Sequence, residues 1–154
     1  MSLALVLVIL QQGSVAQDQP HATKPPTVGD QLFEATNRER TKEGLPIFVR
    51  NAELTKVAEQ LAADMADRNV LEHQDHLGRQ LSERVELFNY TNWTGIAENI
   101  ACGQRTVDQV IESWLKSPGH RRNMLNESYT ELGVACVAKN GRNYWVQDFG
   151  VRGR

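Results

Sequence analysis

The sequence predicts an α+β fold in which helices pack over a small antiparallel β-sheet. First, apolar residues recur with helical spacing in several segments between residues 30 and 117. Second, two β-type runs follow, ELGVACVA and NYWVQDFGV, and the Asn140-Gly141 pair between them is a strong hairpin signal. Third, helices first and a hairpin last is an order typical of α+β domains. At 154 residues the chain is long enough for one compact core and short for two.

The first sixteen residues, MSLALVLVILQQGSVA, are typical of a secretion leader. An apolar run from Leu3 to Leu10 is followed by small residues that end at Ala16, as at a signal-peptidase site. The run is too short to span a bilayer, so no stable membrane span is predicted. Residues 17–29 predict an exposed spacer, which leaves 30–151 as the folded domain. The alternative to a leader is a buried amino-terminal strand. The polar spacer that follows argues against it, because it does not resemble a turn between packed elements.

The first two helices have clear ends. Residues 30–43 predict the first helix, because Gly44 and Pro46 follow it as terminators. Residues 52–67 predict the second helix, with Asn51 as its N-cap, because a single apolar stripe runs along it. The stripe comprises Leu54, Val57, Ala58, Leu61, Ala62 and Met65.

Three shorter helices are predicted further along the chain. Residues 81–87 predict a third helix, and the FNYTNWTG segment after it predicts a surface loop. The segment TVDQVIESWLKS, from Thr106, predicts a fourth helix that opens with a Thr-x-x-Gln capping box. Pro118 disfavours helical geometry at Ser117 but suits the first position of a new helix. His120 is therefore expected in the first turn of a short fifth helix.

Two further short runs predict strands beside the hairpin. PIFV at residues 46–49 and IAENIA at residues 96–101 each predict one strand. In the first strand of the hairpin, Leu132, Val134 and Cys136 alternate with other small or apolar residues, so we expect both faces of the sheet to be covered.

The charge balance argues against nucleic acid as a partner. Seventeen basic and nineteen acidic residues give a formal net charge of -2, and the Arg121-Arg122 pair is only a local basic spot. We expect a monomer.

Only two cysteines occur, Cys102 and Cys136. In an oxidising compartment they would be able to pair, closing a loop of roughly 35 residues and stabilising the fold by about 3 to 4 kcal/mol in the chain-entropy model. We therefore predict a disulfide between them; if the leader prediction fails, two free buried thiols are the better interpretation. Acceptor patterns for N-glycosylation begin at Asn89, Asn92 and Asn126, but such short patterns also arise by chance.

The histidines are the first candidates for chemistry. His73 and His76 are spaced as a dyad, yet this spacing alone favours a solvated cluster over a metal site. His120 is more informative, because the partial positive charge at a helix start favours the neutral imidazole, the form that binds metal. Packing of His120 against Trp114 is an equally open interpretation.

Glu98 lies among apolar neighbours, and a buried carboxylate needs a partner. The candidates are Arg84, which would make Glu98 structural, and the two histidines His73 and His120. No nucleophile elbow, phosphate loop, His-Glu-x-x-His run or Cys-His nucleophile pattern is present.

Seven segments, in order, resemble the CAP superfamily of cysteine-rich secretory, antigen-five and pathogenesis-related proteins, in particular its compact single-domain branch with one SCP-like extracellular domain. They cover the chain from about Asp30 to Val151. The segments are NRER with EGLP, LTKVAEQLAADMA, LEHQD with Gly78 and Arg84, AENIACG, SWLKSPGHRRNML, LGVAC and YWVQDFG.

The resemblance implies an α-β-α sandwich with a central cleft, in which two histidines and one or two glutamates can hold zinc. Carried over by position, the metal ligands would be His73, His120 and Glu98, with Glu98 as the base of any hydrolase and Zn²⁺ as the candidate cofactor. Ser117 stands where larger family members carry a second glutamate, and Glu112 is expected on the exposed side of its helix.

The resemblance leaves three functions open for a secreted, extracellular domain. The first is a non-catalytic binding module for defence or host interaction, with a lipid, a sterol or an extracellular protein as its partner and the LFNYTNWTGI loop lining a groove. The second is a zinc-dependent, peptidase-like hydrolase. The third is an interaction domain whose cleft residues form only a buried polar network.

Overall fold

In a computed structural model of the protein, residues 25–153 are described. The predicted leader and most of the predicted spacer lie outside this range. Between residues 25 and 153, no helix combines the length and the apolar character needed to cross a membrane. The elements in chain order are α1 (Val28–Lys42), β1 (Val49–Arg50), α2 (Ala52–Arg68), α3 (Leu81–Leu87), β2 (Trp93–Cys102), α4 (Val107–Lys116), α5 (Pro118–Met124), β3 (Glu131–Lys139) and β4 (Arg142–Arg152).

The strands form one sheet in the order β1-β3-β4-β2. β4 pairs antiparallel with both β2 and β3, and Asn140 and Gly141 turn the chain between β3 and β4 at φ 51° and 74°. β1 pairs with β3 in parallel, so the prediction of an all-antiparallel sheet is wrong at this edge. The reason is that β1 is a two-residue link between two helices, held to β3 by hydrogen bonds from Val49 N and Asn51 N.

Helices cover both faces of the sheet, as the predicted α-β-α sandwich requires. α2 packs on one face with its apolar stripe fully buried, while α1, α4 and α5 pack on the other around Trp114 and Trp145. α2 lies so close to the sheet that a Cβ at Gly133 would overlap the carbonyl carbon of Leu54 and the nitrogen of Thr55. This contact fixes the height of α2 over the sheet.

The helix ends follow the local sequence. Asn51 Oδ1 accepts a hydrogen bond from Leu54 N at 2.9 Å, as predicted for the N-cap of α2. Thr106 caps α4 by accepting a hydrogen bond from Gln109 N at 3.2 Å. Gln109 Oε1, however, accepts from the amide of Arg105 and not from that of Thr106, so the predicted capping box is only half formed. α5 begins at Pro118, as expected.

The segment after α3 differs from the predicted surface loop. β2 starts at Trp93, three residues before the predicted strand, because Trp93 already pairs with Arg152. Tyr90 is fully buried and donates a hydrogen bond to Glu131 Oε2 at 2.6 Å. Its aromatic ring therefore packs into the protein with Leu54 and is not available to line a ligand groove.

The predicted disulfide between Cys102 and Cys136 is wrong, because both are free thiols. Cys102 on β2 pairs with Tyr144 and Cys136 on β3 pairs with Trp145, and consecutive residues of β4 point to opposite faces of the sheet. With β4 between them, β2 and β3 are about 9 to 10 Å apart, beyond the reach of a disulfide. Burial raises the pKa of the Cys136 thiol to about 11, which keeps it unreactive at neutral pH.

Candidate functional site

Glu98 is at the centre of a buried polar cluster on the edge strand β2. The loop after α2 brings His73 to it, and His73 Nδ1 lies 2.8 Å from Glu98 Oε1. α3 brings Arg84, whose Nη2 donates to Glu98 Oε2 and to the backbone carbonyl of His73. The side chains of Glu98 and Arg84 are 3% and 0% exposed, whereas that of His73 is 53% exposed. Two of the three partners predicted for Glu98 are thus in contact with it.

The cluster keeps Glu98 ionised. Burial opposes ionisation, but the hydrogen bond with His73, the charge of Arg84 and a hydrogen bond with Asp148 outweigh it and hold the pKa of Glu98 below its usual range. An ionised Glu98 can only accept hydrogen bonds, so His73 carries its hydrogen on Nδ1 and leaves Nε2 free of this contact.

Asp148 is a member of this cluster that the sequence analysis did not identify. It lies opposite Glu98 in the β2–β4 pairing, is fully buried, and receives no hydrogen bond from a donor group among the described residues. Burial and the negative charge of Glu98 raise the pKa of Asp148 well above its usual range, which favours the protonated acid, whose hydroxyl donates a hydrogen bond to Glu98. The available sequence signal was an acid within a mainly apolar β-run, similar to the signal that identified Glu98.

The substitution Asp148→Asn is expected to stabilise the protein at pH 7 by about 1 kcal/mol or more. Because the native pKa of Asp148 is raised, the wild type loses stability as the pH rises from about 3.9, the pKa of an unfolded Asp, towards the native value. Asparagine keeps the shape and the donor of the protonated acid without this titration. Urea unfolding at pH 4 and pH 7 would measure the difference, which should shrink at pH 4; an equal gain at both pH values would contradict it.

His120 lies on α5, which packs against β2 at Asn99. Its backbone carbonyl accepts a hydrogen bond from Asn99 Nδ2 at 3.1 Å, and the same amide group contacts Gln147 Oε1 at 3.0 Å. Asn123 Nδ2 donates to Asn99 Oδ1 at 2.9 Å, which ties α5 to the strand a second time. Burial and the charge of His73 lower the pKa of His120, so the neutral imidazole is favoured, as the sequence predicted.

Two buried aspartates hold the loop that carries His73. Asp64 on α2 accepts hydrogen bonds from the backbone and from Nδ1 of His76 at 3.0 and 2.6 Å. Asp75 accepts from the amides of Leu77 and Arg79 at 2.9 and 3.1 Å. His76 is therefore a loop anchor, and the remaining histidine, His21, lies outside the described residues.

The described residues do not fit a zinc site. Among residues 25–153, no group of three or more His, Cys, Asp or Glu side chains is arranged to hold a metal ion. Arg84 and His73 engage the two oxygens of Glu98, so Glu98 orients His73 and is not free to bind a metal. Only the imidazoles of His73 and His120 then remain as ligands, whereas zinc sites use at least three protein ligands. Glu112 cannot contribute, because it pairs with Lys116 on the exposed face of α4.

Comparison with known proteins gives the following similarities. The model of the Cysteine-rich secretory protein family (CAP) matches residues 33–149. An uncharacterized protein of Bacillus subtilis, YkwD, is 36% identical over 118 residues, which cover 77% of this chain and 45% of YkwD. The uncharacterized membrane protein YlbC of the same bacterium is 32% identical over 119 residues, covering 77% of this chain and 33% of YlbC. The chain thus spans less than half the length of either relative.

Solved structures show the same fold. An extracellular protein from Bacillus anthracis that contains an SCP domain has a TM-score of 0.74 at 30% identity, over 82% of this chain and 40% of that chain. NaASP2, crystallised with Zn²⁺, has a TM-score of 0.58 at 17% identity, over 83% of this chain and 82% of that chain.

Proposed function

Because the chain belongs to the cysteine-rich secretory protein (CAP) family, we propose that it is an extracellular binding module of the SCP type and not a hydrolase. Its setting is that of a defence or host-interaction protein, as the family resemblance implies. Its ligand is an amphipathic lipid.

One observation carries the non-catalytic part of the proposal, the engagement of Glu98. A general base needs a free oxygen within reach of the proton it abstracts. Glu98 instead contacts Arg84 and His73 with its two oxygens, accepts from Asp148, and has a side chain only 3% exposed. We infer that this cluster orients His73 and closes the wall of the cleft.

A groove beside α1 supports the lipid part of the proposal. Its volume is about 450 Å³, within the range of small-molecule sites, and Phe33 and Phe48 contribute to its wall. Ile47, at its edge, is 62% exposed and adds apolar surface that a ligand could cover. Arg38, also on the groove, has no ion pair among residues 25–153 and suits the carboxylate of a fatty acid.

The second candidate function is the zinc-dependent hydrolase, which one observation favours. His73 and His120 approach the same edge of β2 closely enough for the charge of His73 to lower the pKa of His120. To bind zinc, the imidazoles of His73 and His120 would need a third ligand, an acid other than Glu98, because Arg84 and His73 already engage the oxygens of Glu98.

A binding assay with palmitate tests the proposal. We expect saturable binding by the wild type and about tenfold weaker binding by Ile47→Asp. Leu87→Asp is the matched control, because Leu87 on α3 is 55% exposed and outside the groove, and it should bind like the wild type. Absence of saturable binding, or equal loss in both variants, would exclude the lipid site.

Zinc titration tests the alternative. We expect no saturable heat of binding and no increase in the melting temperature with excess Zn²⁺. The melting temperature reports binding because a ligand that binds the native state must raise its stability. Zinc uptake together with peptidase turnover that both disappear in His73→Ala and His120→Ala, and persist in His76→Ala, would overturn the proposal in favour of the hydrolase.

A further inference from the structure

A cavity lies where α4 meets α5 and belongs neither to the cleft at Glu98 nor to the groove on α1. Its volume is about 660 Å³. The lining residues are Leu115, Lys116, Pro118, Arg121, Arg122, Leu125 and Asn126. We call it the basic cavity, because three of these residues are cationic and none is acidic.

The positive charge of the basic cavity is available to a ligand. Lys116 and Arg121 pair with Glu112 and Glu43 at 2.6 and 2.8 Å, but these are exposed pairs, which are weak and readily exchanged. The side chain of Arg122 makes no ion pair or hydrogen bond with any other residue of the described range 25–153. This concentration of positive charge occurs on a chain whose net charge is -2, so general basicity does not account for it.

The cavity is formed before any ligand arrives. Buried Arg40 on α1 donates hydrogen bonds of 2.9 Å to the carbonyl oxygens of Met124 and Asn126, which fix the carboxyl end of α5. Asn99 fixes the other end of α5 through the carbonyl of His120. The cationic side chains therefore extend from a rigid support, and a ligand would have to order only the side chains themselves.

The chemistry of the walls indicates the ligand. Arginine guanidinium groups match the oxygens of phosphate in pairs, and a lysine adds a point charge. The cavity is far larger than one phosphate and has room for several linked phosphate groups, with Leu115, Pro118 and Leu125 forming the apolar part of its wall. We propose that the basic cavity binds an extracellular polymer of linked phosphate groups and so holds the domain to an anionic surface.

Binding of polyphosphate, followed by fluorescence anisotropy at low ionic strength, tests the proposal. We expect saturable binding by the wild type, about fivefold weaker binding by Arg122→Gln and about 25-fold weaker binding by Lys116→Gln/Arg122→Gln, with a shallower salt dependence. Arg142→Gln removes the same charge from the β3–β4 hairpin and should bind like the wild type.

Two further arms make the result specific. Heparin, which presents sulfate groups, and polyglutamate, which presents carboxylates, should bind at least fivefold more weakly than polyphosphate. Ile47→Asp should keep full polyphosphate binding, which separates this site from the proposed lipid groove. Loss in Arg142→Gln equal to that in Arg122→Gln, tighter binding of heparin, or no saturable binding of polyphosphate would each overturn the proposal.

Discussion

Replacing Arg84 with methionine is expected to destabilise the protein by about 3 to 5 kcal/mol. Arg84 is fully buried and supplies the positive charge that keeps Glu98 ionised. Methionine fills much of the same volume but leaves Glu98 beside Asp148 without a neutralising charge. The substitution therefore isolates the loss of the buried cation from the loss of packing.

Urea unfolding at neutral pH measures the effect, and two variants serve as controls. Arg121→Met removes an arginine from an exposed pair with Glu43, in which the two side chains are 48% and 51% exposed, and should cost markedly less. Arg84→Met/Glu98→Gln removes both charges of the buried pair and should recover much of the loss, because the uncompensated carboxylate is gone. A double variant no more stable than Arg84→Met would show that packing, and not charge, makes Arg84 necessary.

The substitution Gly133→Ala is expected to cost at least about 3 kcal/mol, at the upper end for an overpacked core. The added methyl group would meet backbone atoms of α2 at Leu54 and Thr55, and a backbone cannot rotate away as the end of a side chain can. To relieve this overlap, α2 would have to move away from the sheet as a unit, which would also separate its buried apolar stripe from the sheet.

Thermal unfolding and the yield of soluble protein measure this effect. Gly119→Ala is the matched control, since a Cβ at Gly119 on α5 would have no neighbour within 4 Å. Alanine there should leave stability unchanged or raise it by about 0.5 to 1 kcal/mol, because it is the better helix former. A melting temperature of Gly133→Ala close to that of the wild type would mean that α2 is free to shift on the sheet.

Local patterns predicted most of the elements. The stripe of α2 and its Asn51 cap, the start of α5 at Pro118 and the β3–β4 hairpin each depend on residues close in sequence, and each is confirmed. The buried Glu98 was identified in the same way, because a carboxylate among apolar residues requires partners.

The features that sequence analysis missed depend on strand order and register. The free state of Cys102 and Cys136 follows from β4 lying between their strands, which no local pattern encodes. The role of Asp148 follows from its register opposite Glu98. The burial of Tyr90 follows from a partner, Glu131, that lies 41 residues away in the chain.

The position of Cys102 and Cys136 on separate strands has a practical consequence. Since no crosslink holds this fold, its maturation needs no thiol oxidase or isomerase, and recombinant expression in a reducing cytoplasm should yield the native protein directly. Purification buffers can contain reductant throughout, which also prevents the half-buried Cys102 from joining two molecules.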